Sequence, residues 1–237
     1  DQMGPGAVFK LTRNNFQRMG ADLSLEVRGS YEWQTNKTVE GNSSKLNSYE
    51  FGTSLSLDFP RLILPWKDSE LRRSRFRQKT SFKVYGDWLN RARFFNMLSF
   101  GGNVTYEFRP SRLWKHTITP FQLTFNTLMS TTERFDSIVA GNPSLALSLG
   151  DQFIPSMKYT FTYDNSRLKQ HNQLWWETSI TSAGNVTSLL YAALGKGFHE
   201  NNKELLGTPF VQFLKFTSEV RRLHKVGAKQ HIAMRFM

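Results

Sequence analysis

The sequence predicts an all-β chain, a membrane-spanning antiparallel β-barrel, and three observations carry that expectation. The clearest lies between Ala21 and Gln34. There Leu23, Leu25, Val27, Gly29, Tyr31 and Trp33 share one parity, and Ser24, Glu26, Arg28, Ser30, Glu32 and Gln34 the other. Side chains on a strand point alternately to opposite faces, so one face is apolar and the other charged. The apolar face ends in the aromatic pair Tyr31 and Trp33, as a lipid-facing strand does where it meets the interface. The second observation is that this pattern recurs roughly ten times, each time near the ~9–11 residues that cross a bilayer at a tilt. The third is that long and short connections largely alternate. Transmembrane barrels of the outer-membrane type sort their connections in this way, with short periplasmic turns at one rim and longer loops outside.

Taken in order, Ala7 to Asn14 offers a first strand and Phe16 to Gly20 a turn into the second. A polar loop, 35–47, precedes Tyr49, Phe51, Thr53, Leu55, Leu57 and Phe59, which alternate with Glu50, Gly52, Ser54, Ser56 and Asp58. The proline-bracketed Phe59 to Trp66 leads into a basic stretch, Arg72, Arg73, Arg75, Arg77 and Lys79, within the connection 60–79. Phe82, Val84 and Trp88 then oppose Lys83, Tyr85 and Asp87. After a modest connection, 90–97, Phe100, Val104, Tyr106 and Phe108 oppose Asn103, Thr105, Glu107 and Arg109. A tight connection, 110–116, precedes Phe121, Leu123 and Phe125. Alternation stops over 129–152, where Asn142-Pro143-Ser144 reads as a helix start. It resumes with Met157, Tyr159, Phe161 and Tyr163 against Lys158, Thr160, Thr162 and Asp164. A short turn, 166–170, gives Leu174, Trp176 and Ile180 opposite Gln173, Glu177 and Thr181. A long loop, 185–209, follows. Leu214, Phe216 and Val220 then alternate with Lys215, Glu219 and Arg221; a turn at 223–228 precedes Ile232, Met234 and Phe236, with His231 and Arg235 opposite.

Composition bounds the rest. The 237 residues suit one large β domain or two smaller ones, and we take 1–237 as one partial barrel domain. With no cysteine there is neither a disulfide framework nor a thiolate metal site. The chain holds 20 Phe and 6 Trp, yet its mean hydropathy is negative. That pairing suits a barrel, whose hydrophobicity is spread over alternate residues. No run approaches the ~20 consecutive apolar residues of a spanning helix. No signal peptide is visible at Asp1, so the chain reads as mature or internal. A formal charge of +12 fits an anionic partner, and the barrel reading selects outer-membrane lipid rather than nucleic acid.

Several segments together resemble the outer-membrane insertase superfamily, the bacterial surface antigen family that includes BamA and TamA. They are Asn14-Asn15-Phe16, Arg28-Gly29-Ser30-Tyr31-Glu32, Phe59-Pro60-Arg61-Leu62-Ile63-Leu64-Pro65-Trp66, and Asp151-Gln152-Phe153-Ile154-Pro155 with the strand Tyr159-Thr160-Phe161-Thr162-Tyr163. The resemblance implies a sixteen-stranded barrel in the cell outer membrane, preceded by periplasmic POTRA modules, that inserts unfolded outer-membrane proteins with periplasmic or lipoprotein assembly partners. Relative to that pattern, the POTRA modules, the first strand, the C-terminal strands and the Arg-Gly-Phe loop motif are missing; Gly195-Lys196-Gly197-Phe198 is not that motif. The chain is therefore expected to be about ten strands of the sixteen, inactive by itself. A passive outer-membrane pore or transporter is the alternative.

The charged residues on the polar parity are expected to face the lumen: Glu26, Arg28, Glu50, Lys83, Asp87, Glu107, Lys158, Glu177, Lys215, Glu219, Arg221 and Arg235. The basic run from Arg72 to Lys79 is expected at the periplasmic rim, against lipid headgroups or an acidic partner, or as a solvated turn. Enzymatic chemistry is not expected, nor a cofactor. Ala146-Leu147-Ser148-Leu149-Gly150 loosely matches a nucleophile elbow but precedes a strand instead of following one. His199-Glu200 has no second histidine at ligand spacing. The triplets Asn36-Lys37-Thr38 and Asn185-Val186-Thr187 match glycosylation sequons by chance in polar loops.

Overall fold

The computed structural model describes residues 2–34, 47–64, 76–91, 94–142, 150–166, 168, 172–185, 188, 204–205, 208–209, 212–227 and 230–237. They form one large antiparallel sheet. Its long strands are β2 (Gly6–Phe16), β3 (Ala21–Gln34), β4 (Asn47–Phe59), β5 (Lys79–Arg91), β6 (Phe95–Phe108), β7 (Trp114–Thr131), β8 (Gln152–Asp164), β9 (Asn172–Ala183), β12 (Phe213–Lys225) and β13 (His231–Phe236). Each pairs with the next in that order. The two-residue β1 (Gln2–Met3) continues the β2 edge, pairing with the end of β3 past a break at Gly4-Pro5. Eleven segments therefore fill ten strand positions. A two-residue pair, β10 (Glu204–Leu205) and β11 (Thr208–Pro209), stands apart in the long connection after β9.

The sheet is open. Among the described residues β2 and β13, at its two ends, do not pair with each other, so these strands do not close the expected barrel. The sheet is nevertheless curved, and side-chain contacts show toward which face. On the polar parity, contacts skip a whole strand: Arg28 of β3 reaches Asp87 of β5 at 2.8 Å, Arg91 of β5 reaches Glu32 of β3 at 2.8 Å, and Tyr85 of β5 meets Thr124 of β7 at 2.7 Å. Strands two positions apart are separated by about 9.5 Å in a flat sheet. On the apolar parity, aromatic contacts join neighbouring strands, such as Phe100–Phe125 and Phe161–Trp176. The polar face is therefore concave and the apolar face convex.

Two expectations about connections need correction. The β5–β6 connection is the three residues 92–94, not 90–97, because β6 already begins at Phe95. Phe95 and Met97 fall on the polar parity of β6 and Asn96 on the apolar one, which hides the strand start in the sequence; the bulge in the pairing there lies on β7, at Met129. The strand β7 likewise starts at Trp114, inside the expected 110–116 connection, and a second irregularity around Pro120 breaks its alternation. A helix also precedes Asn142, and the helix start expected at Asn142-Pro143-Ser144 runs into 143–149, outside the described residues. Helix α1 (Glu133–Ala140) begins two residues after β7, with the Thr132 hydroxyl accepting from the Phe135 amide and Glu133 and Asp136 in its first turn. It stops at Gly141, just before Asn142. Phe135 is buried against Phe95, a polar-parity residue, so α1 leans over the concave side at the rim.

The turn after β2 uses left-handed backbone at Asn15, Gln17, Arg18 and Gly20, and the Asn15 side chain accepts from the Gly20 amide at 2.9 Å. Asparagine and glycine tolerate that region best. The segment after β4 folds back on β5: Thr80 Oγ1 donates to the Arg61 carbonyl and accepts from the Ile63 amide, while Leu62 is buried.

Candidate functional site

The site is a face, not a pocket. Cross-strand register fixes which residues share it. Lys10, Glu26, Ser54, Tyr85, Gly101 and Thr124 stand in one row; Arg28, Gly52, Asp87 and Ser99 in the next; Thr119, Lys158, Thr181 and Lys215 in a third. Following the register through every strand brings Glu26, Arg28, Glu50, Lys83, Asp87, Glu107, Lys158, Glu177, Lys215, Glu219, Arg221 and Arg235 to the same, concave face. They fall into three groups. On β3 to β5, Arg28 bridges Asp87 and Glu50, Arg91 pairs with Glu32, and Lys79 with Asp58 at 3.1 Å. On β12 and β13, Arg221 and Arg235 both donate to Glu219 Oε1, and the Arg221 guanidinium lies 4.5 Å from the Trp175 ring centre. Glu107 pairs with Arg109, and Glu177 accepts from the Thr162 hydroxyl. Lys83, Lys158 and Lys215 make no ion pair among the described residues.

Burial on this sheet is inverted relative to a soluble sandwich. Five buried polar residues lie on the concave face, Ser24, Thr119, Gln152, Thr162 and Ser179, while buried Thr80 is on the convex parity, bonded to the 61–63 backbone. Large apolar side chains are exposed on the convex face, among them Phe9, Phe51, Val84, Phe100, Phe121, Leu214, Phe216 and Phe236. Phe121 and Phe216 are 68% and 65% exposed, which no ordinary water-facing surface would repeat strand after strand. Aromatic clusters mark both ends of the convex face. Tyr31 with Trp33 and Tyr49 with Trp88 stand toward the 35–46 end; Phe108, His116, Trp114, Phe161, Tyr163 and Trp176 stand toward the other.

Of the expected basic rim, Arg77 is exposed and Lys79 is tied to Asp58. Arg72, Arg73 and Arg75 lie outside the described residues, as do Ser148, His199, Glu200 and the Asn36 triplet. Asn185 donates to Ser182 Oγ and to the Phe213 carbonyl, pinning the start of the long connection. Among the described residues no three histidines or carboxylates cluster as metal ligands, and no helix is long and apolar enough to cross a membrane.

Two residues of structural consequence were not singled out in the sequence. Gly52 and Gly101 occupy the middle of strand-skipping contacts, Arg28–Gly52–Asp87 and Tyr85–Gly101–Thr124, in direct register. A Cβ at Gly52 would overlap Asp87 Oδ1 and stand 2.7 Å from Arg28 Nε; at Gly101 it would overlap the Leu123 carbonyl oxygen and stand 2.8 Å from Tyr85 Oη. Only glycine leaves the long side chains room to cross.

Fold and face chemistry define an open, two-faced antiparallel β-sheet protein, polar within its curve and apolar outside. Comparison with protein families, curated proteins and solved structures found no match.

Proposed function

We propose that this chain is part of an outer-membrane β-barrel that acts in protein assembly and insertion. The observation that carries the membrane reading is the inverted burial: apolar side chains are exposed across the convex face while charges gather on the concave one. Lipid removes the cost of that exposed apolar surface, at about 25 cal/mol per Å². Strands of 13 residues are about 43 Å long at ~3.3 Å per residue, enough to cross the ~30 Å hydrocarbon core when tilted about 45°. Aromatic clusters at both ends of the convex face fit the two interfaces.

The assembly role rests on the resemblance. In such a barrel an imperfectly closed seam would let a client strand add to an exposed sheet edge by β-augmentation. In this reading the concave charges keep the interior hydrated, and the backbone of the edge strands does the work, not a reactive side chain. Arg77 and the neighbouring arginines would meet headgroups or an acidic partner at the periplasmic rim. The continuous polar concave face favours a second reading, a passive pore. Reconstitution in liposomes of the barrel proposed to contain this chain separates the two. Faster folding of an unfolded barrel client, measured by heat-modifiability on gels, supports insertion. Ion conductance without that acceleration puts the pore first.

A further inference from the structure

We propose that Lys158 and Lys215, with Thr181 between them, form an oxyanion-binding site on the concave face. The proposal does not depend on the membrane reading. On this face the arginines are committed to carboxylates: Arg28 to Asp87 and Glu50, Arg91 to Glu32, Arg221 and Arg235 to Glu219. Planar guanidinium suits such fixed pairs, whereas lysine is a mobile, strongly hydrated point charge. Lys158 and Lys215 carry no such commitment among the described residues, and register holds them on either side of Thr181, two strands apart. Their backbones are therefore about 9.5 Å apart, a span that two lysine side chains extended toward each other over Thr181 can bridge.

The surroundings favour an anion over a salt bridge. The row continues through Thr119, and the adjacent row carries Ser179 and Thr217, hydrogen-bonded to each other at 2.6 Å. The nearest concave-face acids on β9 and β12, Glu177 and Glu219, lie four residues along, about 13 Å away at ~3.3 Å per residue. That exceeds the screening length of about 8–10 Å, and Glu219 already receives two arginines. Two ammonium groups repel each other across Thr181 unless something negative lies between them. Lys83 differs: it lines a polar concavity of about 250 Å³ together with Glu26, Asp87 and Arg28, two acids among two bases. The site's ligand class is a phosphate or phosphate monoester on a soluble molecule, because this face is opposite the apolar one.

The test is a titration of the full chain in detergent micelles with inorganic phosphate, read by NMR of ¹⁵N-labelled lysine side chains at low ionic strength. Saturable shifts at Lys158 and Lys215 are expected. The variant K158Q/K215Q should lose affinity at least tenfold, K158R/K215R should keep it within about threefold, and K83Q should leave it within twofold. Circular dichroism of each variant checks that the sheet is intact, and K158Q and K215Q singly replace the double variant if it is not, each then losing affinity at least threefold. An equal loss in K83Q would show diffuse attraction and overturn the site, as would non-saturable shifts. Vesicles of phosphatidylglycerol form a second arm: shifts at these lysines with lipid but not with phosphate would also overturn it.

Discussion

Arg28 and Asp87 meet at 2.8 Å although they lie two strands apart, with Gly52 in register between them. The guanidinium crosses over the glycine and also approaches Glu50 at 3.5 Å. The pair itself is partly exposed, so its direct worth is about 0–1 kcal/mol. Asp87→Asn should therefore cost no more than about 1 kcal/mol in urea unfolding of the detergent-solubilised protein. Gly52→Val puts carbon where the crossing occurs and should cost about 1–3 kcal/mol, the usual range for overpacking. A valine no worse than the asparagine would show that the crossing contributes nothing to the sheet.

The second crossing is less forgiving. At Gly101 an added Cβ overlaps the backbone oxygen of Leu123, not the end of a flexible side chain. Gly101→Val should consequently destabilise more than Gly52→Val. Tyr85→Phe removes only the hydroxyl bonded to Thr124 and should cost about 1 kcal/mol. Equilibrium unfolding of the three variants side by side checks the order, and the reverse ranking would exclude backbone overlap as the cause.

Why alternation revealed the strands but not these crossings is a matter of register. Parity within one strand is readable because side chains alternate with period two, and that alone gathers Glu26, Lys83 and Lys215 onto one face. Which residue of β4 stands opposite Arg28 depends on how a polar connection returns the chain, and no local pattern encodes that. Bulges hid more. The bulges at Met129 and around Pro120 invert parity within β7, so Trp114 to His116 read as connection, and Phe95 to Met97 did so because Phe95 and Met97 lie on the concave parity. The helix after Thr131, capped by Thr132, went unread because eight residues give only two turns of pattern.

The proposed lipid face makes an asymmetric prediction. Leu25, Phe51, Val84, Phe108, Phe161 and Phe216 lie on the convex face, opposite Glu26, Glu50, Lys83, Glu107, Lys158 and Lys215. Arginine in place of Phe51 or Val84 should cost about 2–4 kcal/mol if that level is near the bilayer midplane, and arginine in place of Ser54 much less. Spin labels on the first set should collide with a lipid-soluble relaxant and those on the second with a water-soluble one. Equal accessibility for both sets would sink the membrane reading.

Sidedness follows from which connections share a rim. The residues 35–46, 92–94, 132–151 and 184–212 join strands at one end; 17–20, 60–78, 109–113, 165–171 and 226–230 join them at the other. With the first rim outside, cysteine at Asp136 in α1 should label in intact cells that carry the protein in the outer membrane. Cysteine at Ser111 or Gly227 should label only after permeabilisation. The opposite result would invert the orientation and leave the fold untouched.

The edges yield the last prediction. In hydrocarbon each unsatisfied backbone group costs several kcal/mol, which is why spanning sheets close. Here β13 pairs with β12 on one side only, and β2 with β3 on one side only, among the described residues. Six residues of β13, all exposed, stand along one edge. Two such edges on separate molecules can satisfy each other, so the chain produced alone should associate with rising concentration in detergent, and insert no client in liposomes. Closure of the ten strands on themselves is the competing outcome, since an even strand number permits a small barrel. Sedimentation and protease protection distinguish them. Concentration-dependent oligomers with cleavable β13 fit the open sheet; a monodisperse, heat-modifiable, protease-resistant species that conducts ions would mean that β2 has found β13, and the pore reading would then take first place.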